Sequence, residues 1–137
     1  MNSYTIYLAG GIAGLDPQEV EHRFISVKAR LEDMGFKVLS PIRGKILDTE
    51  VDSKYEPNEI VKRDLWDINH SDLLLAIPSE KSIGTFMEVF HAASRGIPVV
   101  IVTTSAFIAN HYWTRVHAAK IVSTVEDALD YLAKWYL

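Results

Sequence analysis

The sequence contains no cysteine. Disulfide staples, thiolate metal sites and cysteine nucleophiles are thereby excluded, and the absence agrees with a reducing compartment. Positive charge is not in excess either: 14 Lys and Arg stand against 18 Asp and Glu, a formal net charge of −4. A chain so balanced has no general attraction for phosphate backbones or anionic lipid, so neither a nucleic-acid polymer nor a membrane is expected as a partner. Long hydrophobic runs are missing too. The stretches Leu73–Pro78 and Ile97–Val102 are far too short to span a bilayer. Met1 leads almost directly into Thr5-Ile6-Tyr7-Leu8 with no basic region and no cleavage site, so no signal peptide is expected. No repeat, low-complexity tract or linker interrupts the 137 residues, which read as one cytoplasmic domain, 1–137.

The composition, 48% hydrophobic and 23% charged, allows a substantial core. Short apolar strands alternate with amphipathic helices. Tyr4–Ala9 reads as a strand ending at Gly10-Gly11. Asp16-Pro17-Gln18-Glu19 is a helix start, with an N-cap acceptor, proline at the first helical position and Glu at the third. Val20, Phe24, Val27, Leu31 and Met34 follow at helical spacing, and Gly35 supplies the stop. Phe36–Leu39 is a second strand. Ile42–Glu56 has no clear period and is long for a connection, which suggests a functional loop. Pro57 opens a helix with the stripe Val61, Leu65 and Ile68.

Asp72–Ile77 is nearly all apolar, as strands buried on both faces are. Gly84–Arg95 reads as a helix with Phe86, Val89, Phe90 and Ala93 inward. Pro98–Val102 is a fourth strand, Ser105–Ala119 is read as containing one helix, and Lys120–Ser123 is a short fifth strand. Ser123-Thr124-Val125-Glu126 is a capping box for a last helix that buries Ala128, Leu129, Leu132 and Trp135. Together these elements predict an α/β fold. It is a doubly wound, flavodoxin-like or Rossmann-like parallel sheet of four to five strands, with helices on both faces. Ligands of such sheets bind beyond the carboxyl ends of the strands, near the switch in strand order.

The segments at those ends carry the chemistry. Gly10-Gly11-Ile12-Ala13-Gly14 lets backbone N–H groups approach a ligand, or simply makes a tight turn. It is neither a dinucleotide fingerprint, lacking G-x-G-x-x-G, nor a P-loop, lacking a following Lys-Ser or Lys-Thr. Ser82-Ile83-Gly84-Thr85-Phe86-Met87-Glu88 enters a helix, so Gly84 and Thr85 offer free N–H groups to the cleft. Glu88, close to that positive helix end with Thr85 and Ala92 on its face, suits a nucleophile or electrostatic stabiliser; equally, Glu is common as a solvated first-turn residue. Asp64 and Asp67 share a helix face and are candidates for the cleft. For Asp67 alone, the reading is a charged flank with Arg63 as local partner.

Asp72 begins a strand at its amino end and reads as structural. Metal chemistry is not implied: Glu88-x-x-His91 is half of a di-metal pattern, and His22, His70, His111 and His117 show no ligand spacing. No G-x-S-x-G elbow exists for a hydrolase triad. Trp113, Tyr112, Trp135 and Tyr136 read as core or subunit contacts.

With these pieces in order, the chain resembles the nucleoside 2-deoxyribosyltransferase superfamily over roughly Thr5–Val102. Ile6-Tyr7-Leu8-Ala9-Gly10 looks like its first strand and Arg63-Asp64 like its helix aspartate. Gly84-Thr85-Phe86-Met87-Glu88, followed by Ala92 and Gly96-Ile97-Pro98-Val99-Val100, looks like its nucleophile helix and next strand. The resemblance implies nucleotide-salvage chemistry on a nucleoside or nucleotide and a free base, with no cofactor and no metal. Glu88 would form a glycosyl ester, Tyr7 would orient it, and Asp64 would contact the base and protonate the leaving nitrogen.

Gly10, Gly11, Ser82, Gly84, Thr85 and Asp67 are carried as substrate-binding candidates. Asn110 and His111 join them, because a homo-oligomer, dimer or larger, would complete each site from a neighbour's residues in Asn110–Thr114. Members acting on free nucleosides carry Asp where this chain has Ser82. Serine there resembles the branch of nucleoside 5′-monophosphate N-glycosidases, although Ala13 stands where an arginine would help hold phosphate. A non-catalytic nucleotide-binding module on the same sheet is the reading from another class.

Overall fold

The computed structural model describes residues 3–11, 15–41 and 56–137. The Ile42–Glu56 loop, apart from Glu56, and the Ile12-Ala13-Gly14 part of the glycine segment lie outside them. Strand β1 (Thr5–Gly10) leads to helix α1 (Pro17–Asp33), and β2 (Lys37–Leu39) precedes α2 (Pro57–Asn69). Then come β3 (Leu73–Ile77), α3 (Ile83–Ser94) and β4 (Val99–Val102). Two short helices, α4 (Ala106–Asn110) and α5 (Tyr112–His117), precede β5 (Lys120–Val122) and α6 (Val125–Tyr136). Both α1 and α2 begin on proline, whose missing N–H costs nothing in a first turn. Gly35 closes α1 at φ +104°, a conformation that glycine adopts without strain.

All five strands are parallel, in the order β2-β1-β3-β4-β5. The chain winds outward from β1 to β2, then returns to β1's other side, so the switch in strand order falls between β1 and β3. Side chains alternate across the sheet with period two. Ile6, Leu8, Leu73 and Leu75 join α1 and α6 in one core, while Tyr7, Ala9, Leu74 and Ala76 join α2 and α3 in the other. Asp72 is structural: its carboxylate accepts from the Thr5 amide at 2.8 Å and its own amide donates to the Thr5 carbonyl, which clasps the amino ends of β1 and β3.

Several expectations change. Ser105–Ala119 forms two helices, each started by its own side-chain cap: Ser105 accepts from the Ile108 amide and His111 from the Trp113 amide. The cap of α6 is Thr124, one residue past Ser123, and its hydroxyl accepts from the Asp127 amide. At Asp16 the helix starts as expected but the side chain makes no capping bond. Trp135 is 61% exposed because the stripe from Leu132 continues four residues on, to the half-buried Tyr136. Val61 is exposed, since α2 packs on the sheet only through its second half, at Leu65 and Ile68.

The inward face of α3 also differs. Thr85, Val89 and Ala92 are buried, Phe86 and Ala93 are only partly covered, and Phe90 is 49% exposed. The helix is turned so that the face carrying Thr85, Glu88 and Ala92 meets the sheet.

Candidate active site

That rotation of α3 has a polar cause. Tyr7 sits in the middle of β1, and the alternation of the strand sends its side chain toward α2 and α3. Its hydroxyl donates to Glu88 Oε2 at 2.5 Å, across 81 residues of sequence. An orientation that buried Phe90 instead would have carried Glu88 away from this donor. Leaving a fully buried phenol unsatisfied costs more than exposing part of an aromatic ring.

Two further carboxylates approach from α2. Asp67 is fully buried, so the charged-flank reading of this residue is overturned. Arg63 instead donates to the Pro41 carbonyl at 3.1 Å and ties α2 to the end of β2. Asp64, three residues before Asp67, is half-buried. Burial pushes the Tyr7 hydroxyl far above the usual phenol range. The negative charge of Glu88 adds to this, followed by that of Asp64, the hydrogen bond to Glu88 and the charge of Asp67. Tyr7 therefore keeps its proton and donates a hydrogen bond to the Glu88 carboxylate. A carboxylate whose one oxygen is held by such a donor has its other oxygen aimed, an arrangement suited to nucleophilic attack on an electrophilic carbon.

The carboxyl edge of β1 lies close to the loop before α3. A side chain at Gly11 would come within 2.6 Å of Ser82 Oγ and 3.1 Å of Ser79 Oγ, so only glycine permits this approach. The glycine is there for space, because neither Gly10 nor Gly11 has a positive φ. Ser82, buried at the N-cap of α3, accepts from the Ser79 amide at 2.7 Å and bonds the Ser79 hydroxyl at 2.9 Å, so it shapes the loop and does not cap the helix. Gly84 is exposed, with open space where a side chain would be, and Thr85 is buried.

One residue at this edge was not legible as a candidate. Arg23, on α1, donates from Nη2 to the Gly11 carbonyl at 2.6 Å, beside the Phe24 ring. It is half-buried, with no carboxylate partner among the described residues, and burial lowers its pKa. In the sequence it was an ordinary helix-flank cation next to a core position. Only the packing of α1 on β1 brings it to Gly11.

The structure does not gather every candidate. Asn110 and His111 are exposed at the junction of α4 and α5, where His111 is engaged in capping α5. A cavity of about 320 Å³ opens at the carboxyl ends of β3 and β4, lined among others by Ser79, Glu80, Thr103, Ser105 and Ile108. Tyr7 and Glu88 do not line it, so this cavity and the group of acids are distinct places.

Among the described residues no helix is long and apolar enough to cross a membrane. No curated protein matches the sequence. Solved structures do match in fold. A 2-deoxyribosyltransferase from Bacillus psychrosaccharolyticus superposes with a TM-score of 0.72 at 21% identity, over 90% of this chain and 89% of that one. A 2-desoxiribosyltransferase from Leishmania mexicana gives 0.73 at 18% identity, covering 98% and 99%. A conserved protein from Enterococcus faecalis V583 gives 0.72 at 20%, covering 99% and 100%. At these identities the likeness speaks for the parallel α/β fold. The family model described as nucleoside 2-deoxyribosyltransferase matches residues 6–124, which takes in β2 to β5, all of β1 but Thr5, and Glu88, Asp64 and Asp67. The chain belongs to the nucleoside 2-deoxyribosyltransferase family.

Proposed function

We propose that this member cleaves the N-glycosidic bond of 2′-deoxyribonucleosides and transfers the deoxyribosyl group to another base through an ester on Glu88. The observation that carries this reading is the Tyr7–Glu88 hydrogen bond, set among Asp64 and Asp67 on one side of the sheet. In the first step a Glu88 oxygen bonds to the anomeric carbon as the carbon–nitrogen bond breaks. The base departs with that electron pair and takes a proton, delivered by Asp64. In the second step the nitrogen of an acceptor base displaces Glu88 and returns a proton to Asp64. Tyr7 holds the Glu88 carboxylate in line throughout, and the charge of the buried Asp67 helps keep the proton on Tyr7. Dividing the displacement in two keeps the configuration at the sugar and replaces one hard step by two easier ones.

A second reading, hydrolysis of a nucleoside 5′-monophosphate by the same nucleophile, is favoured by Arg23. A half-buried guanidinium with no carboxylate partner among the described residues suits an anionic substituent, and it stands beside Gly10 and Gly11 at the strand edge. It supplies the cation that Ala13 does not.

We further propose that a second copy completes the site through Asn110 and His111. Tyr112, Trp113 and Val116 are 80%, 65% and 78% exposed on α5, with Trp113 beside Phe90, and exposed apolar side chains of this kind are what subunit contacts cover.

One experiment separates the readings. The protein is incubated with deoxynucleosides or deoxynucleoside monophosphates, with and without an acceptor base, and the products are resolved by chromatography. A new nucleoside identifies transfer, whereas free base from monophosphates alone identifies hydrolysis. Glu88→Gln is expected to lower turnover by more than about a thousandfold with the fold intact. Turnover like that of the wild type in this variant would overturn Glu88 as nucleophile, and ligand binding with no turnover of any substrate would favour the non-catalytic module.

A further inference from the structure

Helices α2 and α3 bring the proposed acids from different directions, Asp64 and Asp67 on one and Glu88 on the other. Their contact includes Ile68, Val89, Ala92 and Ala93. Apolar burial of this kind is non-directional and does not by itself single out one rotation of a helix. Near the end of the α2–α3 contact stands a directional link. His91 Nε2 lies 2.8 Å from Asn69 Oδ1, joining α3 to the last residue of α2. His91 follows Glu88 by three positions and shares its side of the helix, so whatever fixes the His91 ring also fixes the rotation of α3 at Glu88. Asn69 follows Leu65 by four, on the flank of α2 turned toward α3.

We infer that the His91–Asn69 hydrogen bond is a positioning device that locks α2 against α3 and so holds Asp64 and Asp67 at a fixed distance from Glu88. Neither residue has a part in the proposed chemistry. His91 Nε2 donates to the Asn69 oxygen in the tautomer that carries the proton there, and burial first, then the Arg95 charge, lower the pKa of the ring. The role rests on the assignment of Glu88 and Asp64 given above. Misplacement of reacting groups by a fraction of an ångström acts on kcat, whereas a residue that bound substrate would act on KM.

The test is steady-state kinetics on His91→Ala, Asn69→Ala and the double variant, beside the conservative His91→Gln and Asn69→Asp, which keep a donor and an acceptor. Each alanine variant is expected to lose about tenfold in kcat with KM within about twofold of the wild type. The double variant should be no worse than either single one, because both remove the same bond. The conservative pair should recover most of the loss. Amide exchange at Ile68–His70 should quicken in His91→Ala, a readout that needs no turnover. Unchanged kcat in both single variants, losses that multiply in the double, or unchanged exchange would overturn the inference. If one alanine variant fails to fold, the remaining variant and the conservative pair decide it by the same criteria. Normal turnover in Glu88→Gln would instead remove the underlying mechanism, and inactivity of Glu88→Gln with an unaffected His91→Ala would remove the lock alone.

Discussion

On the side of the sheet covered by α1 and α6, the buried residues are Ile6, Leu8, Val20, Phe24, Leu31, Leu75, Val102 and their aliphatic neighbours. On the side covered by α2 and α3, the same strands bury a tyrosine, and the helices add a fully buried aspartate and a glutamate bonded to that tyrosine. Adjacent residues of β1 belong to opposite kinds of interior, Ile6 and Leu8 to one, Tyr7 to the other. The first face contributes stability through area removed from water. The second spends part of its interior on groups whose burial is costly, of which Tyr7 and Glu88 satisfy each other by their hydrogen bond. A parallel sheet buried on both sides need not divide its duties equally between them.

The comparison can be broken from either side. Truncation on the apolar face should have the largest effect on stability: Phe24→Ala is expected to cost about 3–5 kcal/mol, measured by denaturant unfolding, while specific activity per folded molecule stays near that of the wild type. A loss of activity with full stability would contradict the division. Tyr7→Phe tests the other face. Removing a hydrogen bond to a carboxylate, worth about 1.5–3 kcal/mol, should lower kcat by about tenfold to a hundredfold, read in the same base-exchange assay. An unchanged kcat would show that Glu88 does not depend on this donor.

The smallest effect concerns pH. The folded state holds the Tyr7 proton more tightly than the unfolded chain does, so its contribution to stability is complete below a pH of about 10 and declines as the pH rises above it. Tyr136 is shifted in the same direction, by burial first. Tyr7→Phe should therefore flatten part, but not all, of the alkaline fall in unfolding free energy. An equally steep fall in the variant would show that Tyr7 is not the group responsible.

How much of this was legible in the sequence follows the same division. The apolar face was read nearly whole, since Val20, Phe24, Val27 and Leu31 recur at helical spacing and all are buried. On α3 the same rule failed. Its apolar residues offered two overlapping stripes, and hydrophobicity favoured the one with Phe86 and Phe90, whereas the helix is turned by a hydrogen bond from Tyr7, 81 residues away. No local pattern contains that partner. Asp67 was misread for the same reason, as its burial depends on what α2 faces and not on its neighbours in sequence. Glu88 stands out in the sequence as a candidate one turn into a helix entered from a strand-end loop, where a solvated glutamate fits as well, and the family resemblance is what singles out both it and Tyr7. Arg23 and the His91–Asn69 pair were not legible, because each becomes visible only when two elements dock.

All three tryptophans are exposed: Trp66 at 57%, Trp113 at 65% and Trp135 at 61%. The intrinsic fluorescence of the protein is therefore a surface signal. Loss of the core would change it little, so an unfolding experiment followed by tryptophan emission would understate the transition that backbone circular dichroism records. The same placement makes the emission useful elsewhere. Trp66 lies on the helix that bears Asp64 and Asp67, Trp113 within the Asn110–Thr114 segment expected to meet a second copy, and Trp135 on α6, which covers the opposite face of the sheet from α2. Single-tryptophan variants would give three reporters, two placed to register occupancy or association and one to serve as the internal blank.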